Sequence, residues 1–169
     1  NISGRPAAVT ALAAADLEGA GEESVLAGTA GWYVNVFSAE GAPRWANWFR
    51  YHPITALAAA DVDGDGRAEV MAGNVYSTPL TVHNHDGSFR WSTLEQVGSE
   101  GNATTPRRGI CLTHLCLWDV DRDGVREIAY GTADGWLYVV KPQGGAEVWR
   151  YNLVGELRGL VLTEEGLVV

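Results

Sequence analysis

Cysteine is almost absent from this chain: among 169 residues there are two, Cys111 and Cys116. On one extended strand they would stand about 16 Å apart and point to opposite faces, beyond the reach of a disulfide. They are expected as reduced core residues, and they leave the redox compartment open. Basic residues are also scarce. The balance is 12 Lys and Arg against 21 Asp and Glu, a net charge of −9. That balance argues against nucleic acid and against an anionic membrane surface as partners. No apolar run approaches the length of a transmembrane helix. No signal peptide is visible, and the chain starts at Asn1 rather than Met, as expected of a processed chain or a piece of a longer one. Nucleophile elbows, phosphate-binding loops and zinc-hydrolase motifs are all missing, so the sequence leans away from an enzyme without excluding one. What is present is an ordinary globular composition, 46% hydrophobic and 20% charged, read as a single domain over 1–169.

The negative charge is not spread evenly. Asp61-Val62-Asp63-Gly64-Asp65-Gly66-Arg67-Ala68-Glu69 carries acidic side chains at positions 1, 3, 5 and 9 and a Gly at position 6. Carboxylates this close repel one another unless a cation sits among them. Alternate positions let a tight loop turn every second side chain inward. The Gly permits a sharp backbone turn, after which the carbonyl of Arg67 can face the ion. Hard oxygen ligands without His or Cys suit Ca²⁺ better than Zn²⁺ or Cu²⁺. The pattern recurs in Asp119-Val120-Asp121-Arg122-Asp123-Gly124-Val125-Arg126-Glu127. The expected ligands are therefore Asp61, Asp63, Asp65, Glu69 and the Arg67 carbonyl in one loop. In the other they are Asp119, Asp121, Asp123, Glu127 and the Val125 carbonyl. A solvated acidic turn is the bland alternative.

These loops sit inside a repeat. Thr10–Asp16 followed by Val25–Gly28, Thr55–Asp61 followed by Val70–Gly73, and Thr113–Asp119 followed by Ile128–Gly131 align. Each unit continues into an alternating stretch (Tyr33–Val36, Leu80–His83, Leu137–Val140) and closes on a Gly-containing turn and a Trp: Trp45, Trp91 and Trp149. The period-2 alternation predicts four short strands per unit. Thr-Ala-Leu-Ala-Ala-Ala has helix propensity, and a helix before an Asp-rich loop would suggest an EF-hand. That motif needs Glu at loop position 12, where this chain has Ala72 and Tyr130. Small residues on a crowded strand are the better reading. The first loop, Asp16 to Ser24, has Ala20 and Ser24 at positions 5 and 9, so its turn is expected to persist without a tightly held metal. Leu160–Leu162 and Leu167–Val169 around a turn read as the first two strands of a further unit.

Asp-x-Asp-x-Asp-Gly-x-x-Glu between an Ala-rich strand and Val-x-Ala-Gly resembles the FG-GAP/VCBS repeats of integrin-α-like β-propellers. The run Asp134–Val140 continuing to Glu147–Tyr151 is similar to the outer strands of PQQ-type propeller repeats. The resemblance spans about residues 7 to 155. It implies an all-β fold, a β-propeller segment of about three and a half four-stranded antiparallel blades (7–53, 54–108, 109–156 and a partial blade 157–169). It implies that the metal loop joins each blade's first and second strands. It also implies that first strands line the central channel, where Ala13, Ala14, Ala58 and Ala59 would relieve crowding. Closed propellers have 4–8 blades, so the expectation is completion by another chain or a longer parent protein.

Other constellations are weaker. His83 and His85 stand two apart on a strand and could share a transition metal, though surface positions are the simpler reading. The stretch Trp48-Phe49-Arg50-Tyr51-His52 could stack a sugar or peptide, or pack between blades. The insertion 92–109 is polar and lies, in the propeller picture, on the face opposite the metal loops, as a binding loop or a passive one. Asn102-Ala103-Thr104 and Asn1-Ile2-Ser3 match the glycosylation pattern, and with seven Asn in the chain about one such match arises by chance. The functional expectation is a calcium-stabilised module for recognition, adhesion or structural assembly, extracellular or at the cell surface, with a protein or carbohydrate partner. The rival is part of a propeller-fold enzyme such as a polysaccharide lyase, which would show Arg, His, Lys or Tyr converging on one face.

Overall fold

In the computed structural model the described residues are 7–49, 53–75, 80–93, 111–155, 157–163 and 166–168. The Arg50–His52 part of the aromatic stretch, nearly all of the insertion 92–109, and both glycosylation patterns lie outside them.

The alternating segments form strands, and consecutive strands pair antiparallel. The first sheet is β1 (Val9–Ala15), β2 (Ser24–Thr29), β3 (Tyr33–Ser38) and β4 (Pro43–Trp48). The second is β5 (Ile54–Ala60), β6 (Glu69–Asn74), β7 (Leu80–His83) and β8 (Phe89–Ser92). The third is β9 (Leu112–Trp118), β10 (Glu127–Thr132), β11 (Trp136–Val140) and β12 (Glu147–Asn152). A two-stranded hairpin, β13 (Val161–Thr163) and β14 (Gly166–Val168), follows. Among the described residues, no helix is long and apolar enough to cross a membrane. The Ala-rich segments are strands, so sheet packing overrides their helix propensity.

Each sheet is a meander whose first strand lies beside the first strand of the next: β1 packs along β5, β5 along β9, and β9 meets β13. Two clusters fill the gaps between sheets. The first joins Leu26, Val34 and Val36 to Ile54, Val70 and Ala72. The second joins Met71, Leu80, Val82 and Trp91 to Leu112, Ile128 and Tyr130. The alanines work here. Ala11, Ala13 and Ala15 pack in the first gap, and Ala56, Ala58 and Ala60 in the second. Ala59 faces the first gap from the other side, while Ala14 is exposed. Their small size lets neighbouring sheets approach, a role between blades that the channel argument did not anticipate.

The second strand carries a glycine for the same reason. A Cβ on Gly28 would stand 2.5 Å from Ile54 Cγ2, one on Gly73 2.5 Å from Leu112 Cδ2, and one on Gly131 1.8 Å from Leu157 Cδ2. Each glycine receives an apolar side chain from the next unit, including the incomplete last one.

Candidate metal centres

The acidic loops join β1 to β2, β5 to β6 and β9 to β10, so all three project from one rim of the assembly. The backbone is the same in each. Positions 4 and 6 are left-handed: Gly19 (φ 69°) and Gly21 (φ 81°), Gly64 (φ 82°) and Gly66 (φ 86°), Arg122 (φ 61°) and Gly124 (φ 90°). Of these six loop positions only Arg122 adopts this region with a side chain, at a strain cost of about 1 kcal/mol or more. The leading Asp organises each turn by accepting backbone N–H groups. Asp61 takes those of Asp63 (3.2 Å), Gly64 (2.7 Å) and Gly66 (2.9 Å). Asp119 takes those of Asp123 (3.1 Å) and Gly124 (3.0 Å). Asp16 takes those of Glu18 (3.3 Å), Ala20 (3.2 Å) and Gly21 (2.6 Å). The turn thus persists in the first loop, as its sequence suggests.

Within the second loop, oxygens of Asp61, Asp63 and Glu69 all lie within 4.8 Å of one another; in the third, Asp119, Asp121 and Glu127 do the same. Asp65 and Asp123 fall outside these groups. Asp65 accepts from the Arg67 N–H at 2.8 Å, and Asp123 from the Val125 N–H at 2.8 Å. Of the residues singled out in the sequence, three per loop converge, and the position-5 carboxylates brace the turn beside Arg67 and Val125.

The position-9 glutamates are the unusual members. Glu69 is 2% exposed and Glu127 0%. Each accepts the N–H of the position-2 residue, Val62 at 3.2 Å and Val120 at 2.8 Å. Burial first, and the charges of Asp63 and Asp65 after it, hold the Glu69 carboxyl above the ordinary range against the Val62 N–H and a nearby arginine. In the first loop Ser24 stands at this position, also buried, and its Oγ has no hydrogen-bond partner among the described residues.

Sequence reasoning missed the cations. Arg90, on β8, contacts Asp63 with Nη2 and reaches Glu69 Oε1 with Nη1 at 2.9 Å. The Arg90 hydrogen bond holds Asp63 below the usual carboxylate range, while burial dominates at Glu69, and the guanidinium itself is raised. Lys141, the only lysine in the chain, places Nζ 2.7 Å from Glu127 Oε1, 2.9 Å from Asp121 Oδ2 and 3.8 Å from Asp123 Oδ2. It is raised by Glu127 first and Asp121 second. A signal for Arg90 existed: Arg precedes the closing Trp in Arg44-Trp45 and Arg90-Trp91, and in the third repeat the place is Val148. Lys141 enters from a different strand end, which no repeat pattern announces.

The donor set nevertheless fits a divalent hard cation. Three carboxylates per loop, one of them buried, give several oxygens facing one point. Arg90 and Lys141 supply one positive charge each, where a divalent cation would supply two.

The histidine pair is corrected. His83 is 3% exposed, stacks on Phe49 at 3.9 Å between ring centroids, and its Nδ1 lies 2.8 Å from the Gly87 carbonyl oxygen. His85 sits in the turn, its Nε2 4.0 Å from Glu18 Oε2. They are a core residue and a rim residue, because the turn breaks the strand between them. Phe49 is buried between blades, so this part of the aromatic stretch packs rather than stacks a ligand. Cys111 and Cys116 are free and half-buried rather than fully in the core.

No protein-family model and no curated protein matches this chain. Solved structures match its fold. BBS1N, in complex with ARL6DN and soaked with lead, superposes with TM-score 0.70 over 95% of this chain at 12% identity, covering 48% of BBS1N. BamB from Moraxella catarrhalis superposes with TM-score 0.60 over 95% of this chain at 18% identity, covering 43% of that protein. At these identities the likeness concerns the fold alone. The fold is a β-propeller segment: three four-stranded blades and the start of another. The chain spans about half the length of the propellers it matches.

Proposed function

We propose that this chain is a calcium-stabilised propeller module of the FG-GAP/VCBS kind, serving recognition, adhesion or structural assembly outside the cell. The observation that carries the proposal is the buried position-9 glutamate facing two further carboxylates in each of two loops. Asp61, Asp63 and Glu69 would hold one Ca²⁺, and Asp119, Asp121 and Glu127 another. Asp65 and Asp123 would hold the loops in shape or add an oxygen. The ion would remove the repulsion within each loop and fix the first hairpin of the blade. Extracellular modules work with calcium affinities of roughly 10⁻⁴–10⁻³ M, which suits a calcium-rich compartment.

A protein partner is favoured because BBS1N was solved bound to ARL6DN and because rigid blades present loops on both rims. The partner or the parent protein would also supply the blades absent here. Thermal melts in chelator, Mg²⁺ and Ca²⁺ test the metal part. A Ca²⁺-specific rise in melting temperature is expected, and equal melts in all three would refute it.

A further inference from the structure

The first acidic loop lacks two of the expected ligands, yet its backbone is docked directly on the second loop. Leu17, at position 2, buries its side chain in the gap between blades 1 and 2 together with Ala68. Its carbonyl accepts the Ala68 N–H at 3.1 Å. Gly19, at position 4, lies so close to the Gly66 carbonyl that a Cβ on it would overlap that oxygen. These two contacts grip the second loop at the peptide groups on either side of Arg67.

The Arg67–Ala68 peptide carries both the gripped N–H and the Arg67 carbonyl, the backbone oxygen expected to face an ion. The N–H and C=O of a trans peptide point in opposite directions, so the bond to Leu17 turns the Arg67 carbonyl away from the first loop. The preceding peptide is held as well. Its N–H donates to Asp65 Oδ1 at 2.8 Å, and its carbonyl rests on Gly19.

The junction between the second and third loops is built differently. Val62 is the equivalent of Leu17, but its carbonyl accepts Gln143 Nε2 at 2.9 Å, and among the described residues no carbonyl of blade 2 takes the Arg126 N–H. Gly64 is the equivalent of Gly19, and a Cβ there would meet nothing within 4 Å. Arg122, at the same position of the third loop, shows that the turn itself admits a side chain. At position 19, glycine therefore serves the contact with Gly66 as well as the turn.

We infer that the first loop is a positioning element for the second metal site: through Leu17 and Gly19 it presents the Arg67 carbonyl to the ion that Asp61, Asp63 and Glu69 would hold. The Val125 carbonyl of the third site has no such support from blade 2. The inference rests on the calcium reading for the ion and on the backbone contacts for the docking. Groups that orient a ligand without touching the metal are worth about 10–100-fold in affinity.

The test sets Gly19→Ala against Gly21→Ala in the full chain. Both replace a left-handed glycine, at φ 69° and 81°, but a Cβ at Gly21 meets nothing within 4 Å. Each is titrated with Ca²⁺ by calorimetry in an Asp121→Ala background, which leaves the second site, and in an Asp63→Ala background, which leaves the third. Exchange of the Ala68 amide is followed by NMR in chelator. Gly19→Ala is expected to weaken the second site about 10-fold, to leave the third unchanged, and to speed Ala68 exchange, whereas Gly21→Ala should do none of these. The unchanged third site reports that the variant is folded. An unweakened second site, equal weakening of both sites, or equal weakening by both variants overturns the inference. A parent that binds calcium with an unprotected Ala68 amide overturns the positioning alone. A parent that binds no calcium overturns the calcium reading, and the ligand role of Arg67 with it, whatever Ala68 shows.

Discussion

Replacing Arg90 by Gln separates the two ways of neutralising the second loop. In the metal-free protein the guanidinium satisfies Asp63 and the buried Glu69. Removing it leaves Glu69, 2% exposed, with the Val62 N–H and the loop's own negative charge around it. Arg90 is itself partly open to solvent, at 29% side-chain exposure, so the loss is discounted from that of a fully buried pair to about 1–3 kcal/mol. For a chain of this length that lowers the melting temperature in chelator by roughly 2–12 °C. Calcium is expected to offset this loss. Two cations compete for the same oxygens, so the ion must first detach Arg90. Deleting the competitor should tighten calcium binding about 10-fold if the detachment costs about 1.4 kcal/mol. The Gln variant should therefore melt below the parent in chelator and recover most of the difference in saturating Ca²⁺. The assay is a pair of melts combined with titration calorimetry. An unchanged or weaker calcium affinity in Arg90→Gln would refute the competition, and a loss of stability that Ca²⁺ does not restore would show that Arg90 acts only as a structural ion pair.

Three further outcomes are expected. Asp63→Ala should lower the melting temperature mainly in Ca²⁺, since binding at 100 times the dissociation constant contributes about 2.7 kcal/mol, while Glu18→Ala in the first loop should change little; equal calcium-dependent losses would mean the first loop also binds. Gly73→Ala drives a methyl to 2.5 Å from Leu112 Cδ2 and 3.1 Å from Thr55 Oγ1, and should cost about 1–3 kcal/mol in chemical denaturation, whereas Gly41→Ala, with nothing within 4 Å, should show only its backbone strain. Burial pushes the Cys116 thiol up to about 11 from 9.0, so at pH 8 it carries roughly 100-fold less thiolate than an ordinary cysteine, and alkylation followed by mass spectrometry should be correspondingly slow until the protein is unfolded.

The blade order and the loops were legible because both depend on local pattern. Alternation fixed the strands, and the Asp and Gly spacing fixed the turn, even at Arg122, where a side chain occupies a left-handed position. Two features were harder to read. Arg90 leaves only the faint mark of its place before the closing Trp, and Lys141 leaves none, because each reaches its loop across a sheet and that distance is not written in spacing along the chain. His83 reads as a rim residue by its nearness to Asp86-Gly87, but the ring is buried against Phe49, whose position depends on how blade 1 meets blade 2. The Ala-rich strands were recognised for their small side chains, while the partner of each alanine became visible only with the sheets in register.

The claim at the centre of this account is that the two acidic loops hold calcium. Titration calorimetry of Ca²⁺ into the metal-stripped full chain tests it most directly. Two sites are expected in the parent protein and one in Asp63→Ala, with Mg²⁺ and Zn²⁺ binding more weakly. Absence of binding at millimolar Ca²⁺, or a preference for Zn²⁺, would contradict it.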